Sequence, residues 1–167
     1  MWPTVSVAIA AVNGKSGFTA FSSKGGGQLP GFSDGASDQY RIEQFMVETA
    51  YQHRGFSWQQ ELHWKSVDDR LSGEKRRLFG GYAQAGMFFS EIYESFPEPL
   101  EFALRYARVD PDDDLSGDTE KEYTLASNWF FNGHRNKLTL DLSHVVRRQA
   151  PETDTSNRIR FQWDWSF

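Results

Sequence analysis

The chain has 167 residues, a net charge of −5 and no cysteine, with 38% hydrophobic and 16% aromatic residues. That is one domain's worth of chain; it excludes disulfide and thiol chemistry and, lacking any basic run, argues against nucleic acid as a partner. A mean hydropathy of −0.64 and the lack of any run of about 18 apolar residues exclude a transmembrane helix but not a transmembrane barrel, whose strands hide their apolarity in alternation.

Eight strands are predicted. The first, Thr4–Val12, puts Val5, Val7, Ile9 and Ala11 on one face and the small residues Thr4, Ser6, Ala8 and Ala10 on the other. No Lys or Arg precedes this apolar segment and no small-residue cleavage site follows it, so it is not a secretory signal. A secreted barrel needs such a signal. Met1 is therefore expected to be internal, and the chain to be the C-terminal piece of something longer. Residues 13–39, rich in Gly and Ser and containing Gly25-Gly26-Gly27, read as a long outer loop.

The second strand, Tyr40–Gln52, aligns Phe45, Val47, Thr49 and Tyr51. A tight turn at His53-Arg54-Gly55 leads into the third, Phe56–Ser66, where Phe56, Trp58, Leu62 and Trp64 share a face with Gln60. The fourth, Arg77–Phe89, groups Phe79, Gly81, Ala83, Ala85, Met87 and Phe89 against Tyr82, Gln84 and Phe88. The fifth, Leu100–Val109, sets Leu100, Phe102, Leu104 and Tyr106 against Glu101, Ala103, Arg105 and Ala107. The sixth, Glu122–Asn132, aligns Tyr123, Leu125, Trp129 and Phe131, and the seventh, Lys137–Val146, turns Leu138, Leu140 and Leu142 away from Lys137, Thr139 and Asp141.

The eighth strand, Asn157–Phe167, alternates Ile159, Phe161, Trp163, Trp165 and Phe167 with Arg158, Arg160, Gln162, Asp164 and Ser166. One of its faces is wholly apolar and the other wholly polar. A chain that stops on such aromatics looks like the closing strand of a bacterial outer-membrane β-barrel. Connections alternate long (13–39), short (53–55), long (67–76), medium (90–99), long (110–121), short (133–136) and long (147–156), as short periplasmic turns and long outer loops would. On that polarity, aromatic residues gather at two levels, as interfacial girdles do. Tyr51, Phe56, Trp58, Phe89, Phe102, Trp129, Phe131, Trp165 and Phe167 fall at the periplasmic end, and Trp163 is counted with the girdle residues. Phe45, Trp64, Phe79, Tyr106, Tyr123 and Phe161 fall at the outer end.

Several segments resemble the phosphate-selective porin O and P family: V-E-T-A-Y…G-F-S-W-Q-Q-E-L (Val47 to Leu62), G-G-Y-A-Q-A-G-M-F-F (Gly80 to Phe89), L-E-F-A-L-R-Y-A-R-V-D (Leu100 to Asp110), N-W-F-F-N (Asn128 to Asn132) and the R-F-Q ending on Phe167. The resemblance implies an all-β, up-and-down transmembrane barrel of about sixteen strands, assembled as a trimer in the bacterial outer membrane. Eight strands would be its C-terminal half. It also implies a diffusion porin for small hydrophilic solutes or anions, with phosphate as the named preference. Implied partners are outer-membrane lipid, lipopolysaccharide and the barrel-assembly machinery that reads the strand ending at Phe167.

A pore works through the charges of its inward face. The inward cations are expected to be Lys65, Arg105, Lys137, Arg158 and Arg160, and the inward anions Glu48, Glu61, Glu101, Asp141 and Asp164. Equal numbers give no net field, and pairing across neighbouring strands accounts for most of them. Arg105 is the strongest candidate to touch a permeating anion. The acidic run Asp110, Asp112, Asp113, Asp114 and Asp118 lacks the Gly and bidentate Glu of a calcium loop, and reads as a solvated outer loop, bridged to lipopolysaccharide by divalent ions. His53, His63, His134 and His144 have no metal-ligand spacing, no catalytic grouping is readable, and no cofactor is expected. Two other readings stay open: a self-contained eight-stranded membrane barrel with a structural or adhesive role, and a soluble barrel binding an apolar ligand inside.

Overall fold

A computed structural model of the protein describes residues 2–20, 27–29, 31–33, 35–133 and 135–166. Gly25, Gly26, His134 and the girdle position Phe167 lie outside the described residues. Eight antiparallel strands form one sheet in chain order: β1 (Thr4–Ser16), β2 (Tyr40–His53), β3 (Phe56–Asp69), β4 (Lys75–Phe88), β5 (Leu100–Asp110), β6 (Glu120–Phe130), β7 (Asn136–Gln149) and β8 (Glu152–Trp165). Every strand pairs with its neighbours in sequence and, among the described residues, β1 does not pair with β8, so the sheet is an open meander with two edge strands.

The register carries the alternation across the whole sheet. Val47 stands opposite Ile9 and Leu62, Leu104 opposite Ala85 and Leu125, and Leu142 opposite Leu125 and Ile159. One face is thus predominantly apolar, interrupted by Thr49 opposite Gln60 and by Ser127 opposite Phe102. The other carries the polar and small residues, and it is the concave one. Thr4 and Ser6 of β1, Arg160 of β8 and Arg105 between them line a single hollow of about 570 Å³. An apolar ligand inside a soluble barrel would need the reverse arrangement, so that reading is overturned.

The aromatic residues climb relative to the hydrogen-bond rows, as strands tilted in a barrel wall require. The row through Trp64 and Phe79 meets β5 at Asp110, whereas the outer aromatic of β5 is Tyr106, four residues lower. The row through Trp58, Ala85 and Leu104 meets β6 at Leu125, whereas its lower aromatic is Trp129, again four residues lower. The two bands step together. Tyr51 faces Trp58, Phe45 faces Trp64 and Tyr106 faces Tyr123, with ring centroids of that last pair 5.2 Å apart. Trp163 and Trp165 stack at 5.7 Å, and the Trp163 indole N–H donates to Asn136 Oδ1 at 2.8 Å. Phe161, placed by the sequence pattern at the outer level, instead lies opposite Leu140 within the apolar face.

Strand boundaries differ from the sequence pattern mostly at the outer end. The expected loops 67–76 and 147–156 shrink to 70–74 and to Ala150-Pro151, because β3, β4, β7 and β8 run on as polar strands. Alternating apolarity marks only the stretch that faces lipid; beyond it both faces are wetted and the pattern vanishes although pairing continues. Cross-strand ion pairs such as Arg147–Glu120 at 2.8 Å belong to this extension. At the other end β4 stops at Phe88, and Phe89 opens a 3₁₀ turn (Phe89–Glu91), packing on Phe96 and Phe102 at 5.5 and 6.0 Å. β6 stops at Phe130, so Phe131 lies just past its end against Trp129 at 6.4 Å. The β2–β3 hairpin closes through Arg54 (φ 45°) and Gly55 (φ 74°), the two left-handed residues that match the twist of a two-residue connection.

Leu140 sits amid the apolar face opposite Phe161, while its neighbour Thr139 turns inward and donates to Asn128 Oδ1 at 2.7 Å. Leu140→Arg is expected to destabilise folding into lipid vesicles by roughly 2–4 kcal/mol, and Thr139→Arg by about 1 kcal/mol or less. Denaturant titration of vesicle-folded protein checks this; equal losses for the two variants would overturn the assignment of faces.

Candidate pore lining

The concave face holds every charged residue that the sequence placed inward, though few of them meet as simple pairs. Arg158 reaches across β7 to Glu122 at 2.6 Å and to Ser143 at 3.2 Å. Arg160 holds Asp141 at 2.7 Å, and Lys137 lies 3.6 Å from Asp164. Asp141 is only 2% exposed, packed between Ala126 and Arg160 on its two flanking strands. Glu101 accepts from Asn128 at 2.8 Å. Glu48 and Glu61 stand directly opposite each other on β2 and β3, and their mutual repulsion is relieved by neutral donors and a histidine. Gln59 lies 3.5 Å from Glu48, and His63 hydrogen bonds to Glu61.

Arg105 is different. Among the described residues it makes no ion pair; its guanidinium lies over the Tyr82 ring, 4.1 Å from the centroid. The same Tyr82 donates its hydroxyl to Glu61 at 3.4 Å. Tyr82 thus separates the cation from the nearest acidic wall and fixes it by cation–π attraction, leaving its N–H groups turned to the exposed lumen side. Gln84 and Thr124 are its partners in register, so the immediate surroundings are neutral and polar.

The long connection between β1 and β2 folds back onto this same face. Leu29 packs with Tyr40, Ile42, Val67 and Leu78, all inward positions on β2, β3 and β4, and Phe32 joins from the side. Arg76 covers Phe32 at 4.5 Å while holding Asp112 at 3.1 Å. Within the loop, buried Thr19 donates through its hydroxyl to Gln28 Oε1 at 2.7 Å and accepts from the Leu29 N–H at 2.8 Å. Tyr40 O–H donates to the Ser33 carbonyl at 2.7 Å. Lys65, expected on the inward face, lies there but donates to the carbonyl of Ala20 and is 6% exposed. The loop therefore narrows the concave side as deep as Lys65.

Sequence reasoning passed over this docking, and a signal was present. Ile42, Val67 and Leu78 are apolar at inward positions of otherwise polar-inward strands, which a water-filled wall does not require. Sequence reasoning set Tyr82 and Gln84 on the face of β4 opposite the apolar one without giving them a role, and passed over Glu122 and Thr124 as wall residues. In the outer connection 111–119, Asp112 and Asp114 are turned to Arg76 and Arg77 at 3.1 and 2.7 Å. Burial holds the Asp118 carboxyl above its usual range, and Asp110 and Asp112 add to that. No group of three or more metal-ligating side chains occurs among the described residues.

A family model described as phosphate-selective porin O and P matches residues 27–165, which spans β2 through β8. No curated protein and no solved structure matches the chain. The two-faced meander, the paired aromatic bands and the match over most of the length agree: the chain belongs to the phosphate-selective porin O and P family, a family of outer-membrane channels.

Proposed function

We propose that this chain forms part of the wall of a water-filled pore through which small hydrophilic solutes and anions, phosphate among them, diffuse passively. The observation that supports this most is a polar concave face narrowed by its own inward-folded loop, backed by a predominantly apolar face. Such a surface needs a bilayer outside and water inside. Both edge strands carry unpaired backbone groups, each of which costs several kcal/mol in hydrocarbon. We take β1 and β8 to pair with further strands outside this sequence, which completes a barrel wide enough to conduct.

Arg105 is the anion contact in this reading. Its partner is a ring rather than a carboxylate, so its charge remains available to a passing solute. One unit charge at about 4 Å in water attracts an anion by roughly 1 kcal/mol, about fivefold in local occupancy. Arg105→Ala is expected to lower the anion-over-cation permeability ratio by up to about that factor, with the single-channel step size retained. Reversal potentials across planar bilayers under a salt gradient measure it; an unchanged ratio would remove Arg105 from the role.

The loop makes a second test. Replacing residues 18–37 with a short Gly-Ser linker should raise the conductance step, since the docked segment no longer occupies the concave side. If the full-length protein inserts but gives no steps before or after this change, the pore reading fails and a closed, structural barrel takes its place.

A further inference from the structure

Two features of the convex face between β5 and β8 have no use in conduction. The first is charge. Above the Tyr106–Tyr123 pair, the next outward row sets Arg108 directly opposite Lys121. Arg148 follows one step higher on β7, where its backbone N–H pairs with the Thr119 carbonyl at 2.9 Å. Lys121 faces Val146 across the strand pair, so Lys121 and Arg148 are diagonal neighbours about 7–8 Å apart at the backbone. Arg108 shares its charge with Asp110. Among the described residues, Lys121 and Arg148 have no side-chain hydrogen bond or ion pair. The outward residues facing them from β8, Thr153 and Thr155, are uncharged. The rim of β5–β8 is thus net cationic on the outside of the wall.

The second feature is shape. Directly below these cations the outward face carries a shallow apolar depression of about 740 Å³. Its floor is formed where Ala83 and Ala85 stand beside larger neighbours, and it runs past Leu125 and Leu142 to Ile159. Tyr106 and Tyr123 stand at its upper edge, between the apolar floor and the cations. An apolar slot topped by hydroxyls and then by guanidinium and ammonium groups fits a lipid whose headgroup bears phosphate. It fits poorly to a zwitterionic one.

We propose that the outward rim of β5–β7 is a seat for a phosphorylated saccharolipid of the outer leaflet. Acyl chains lie in the depression, and sugar phosphates meet Arg108, Lys121 and Arg148 without an intervening metal ion. Guanidinium and ammonium groups are the usual partners of phosphate oxygens. In the acidic connection 111–119, Asp112 and Asp114 are held by Arg76 and Arg77 and are not the contact. The proposal rests on the reading of the apolar face as lipid-facing with this end outward.

The test uses the full-length protein and its Arg108→Gln/Lys121→Gln/Arg148→Gln variant, with Lys75→Gln as a control on the rim outside the patch. Each is folded into zwitterionic phospholipid vesicles, checked by heat-modifiable migration, and then extracted. Diphosphoryl lipid A, its dephosphorylated form and phosphatidylglycerol are titrated against each protein by native mass spectrometry in chelator. Each surface cation contributes about fivefold in affinity for an anionic lipid surface, so the triple variant is expected to lose on the order of a hundredfold for diphosphoryl lipid A. Lys75→Gln should match wild type, and dephosphorylated lipid should bind the wild type as weakly as the triple variant binds diphosphoryl lipid A. Equal binding of phosphatidylglycerol and lipid A, or loss of lipid A in chelator, overturns the proposal while leaving the membrane reading intact. Failure of the wild type to insert into vesicles overturns both.

Discussion

Everything in this molecule depends on the backbone hydrogen-bond ladder being complete where there is no water. In hydrocarbon an unpaired N–H or C=O costs several kcal/mol, so a spanning sheet has to be continuous from strand to strand. Here seven successive pairings run ten residues or more each, and the shortest link between them is two residues long. The up-and-down order follows from the same constraint. Neighbours in sequence can pair through short turns, and none of the described connections needs to cross the sheet. Once the ladder fixes the register, the period of two sorts every side chain between lipid and lumen. A one-residue slip between β7 and β8 would carry Phe161, Trp163 and Trp165 inward and Arg158 and Arg160 into hydrocarbon.

The lumen side then has a problem of its own, since a wet wall dense with carboxylates and guanidiniums repels itself unless the signs are interleaved. The structure meets it partly by direct opposition, as in Arg160–Asp141 and Lys137–Asp164, and partly by reach. Arg158 crosses β7 to find Glu122, and Arg160 caps a nearly buried Asp141. The facing pair Glu48 and Glu61 is surrounded by Gln59, His63 and Tyr82. Tyr82 touches both the acidic side and Arg105, which keeps the two from neutralising each other. At the outer end, apolar Ile42, Val67 and Leu78 stand among the charges of β2, β3 and β4, and the loop that covers them becomes part of the wall.

How much of this was legible in the sequence follows from where each rule applies. Strand existence and facing were readable because lipid imposes strict alternation, and β8 shows it over Ile159 to Trp165 without exception. Strand length was not, because beyond the lipid both faces meet water, and a segment such as R-R-Q-A-P-E-T-D reads as loop although most of it is paired. The inward charges were assigned by parity alone, which places a Cβ and says nothing of a partner. Lys65 shows the gap: its face was readable, but its carbonyl partner at Ala20 lies 45 residues away on a loop whose fold no local pattern announces. The apolar inward trio was the one clue to that loop, and it was visible only as a flaw in the alternation.

Arg105 and Arg108 make the general point on a single strand. They are three residues apart, chemically identical, and face opposite sides of the same wall. Arg105 stands over Tyr82 beside water, where a high dielectric and a Debye length of about 8–10 Å confine its pull to solutes passing close by. Arg108 stands at the level where the apolar face ends, with Leu104 two rows beneath it, the height at which a barrel wall in a bilayer meets the interface rather than bulk water. There the local dielectric is lower, the counter-charge is fixed in a plane, and neighbouring cations add their attraction along one surface. Residue type sets only the sign of the charge. Parity decides which medium it meets and height along the strand decides how strongly, so two guanidiniums three residues apart on one strand are set in different surroundings.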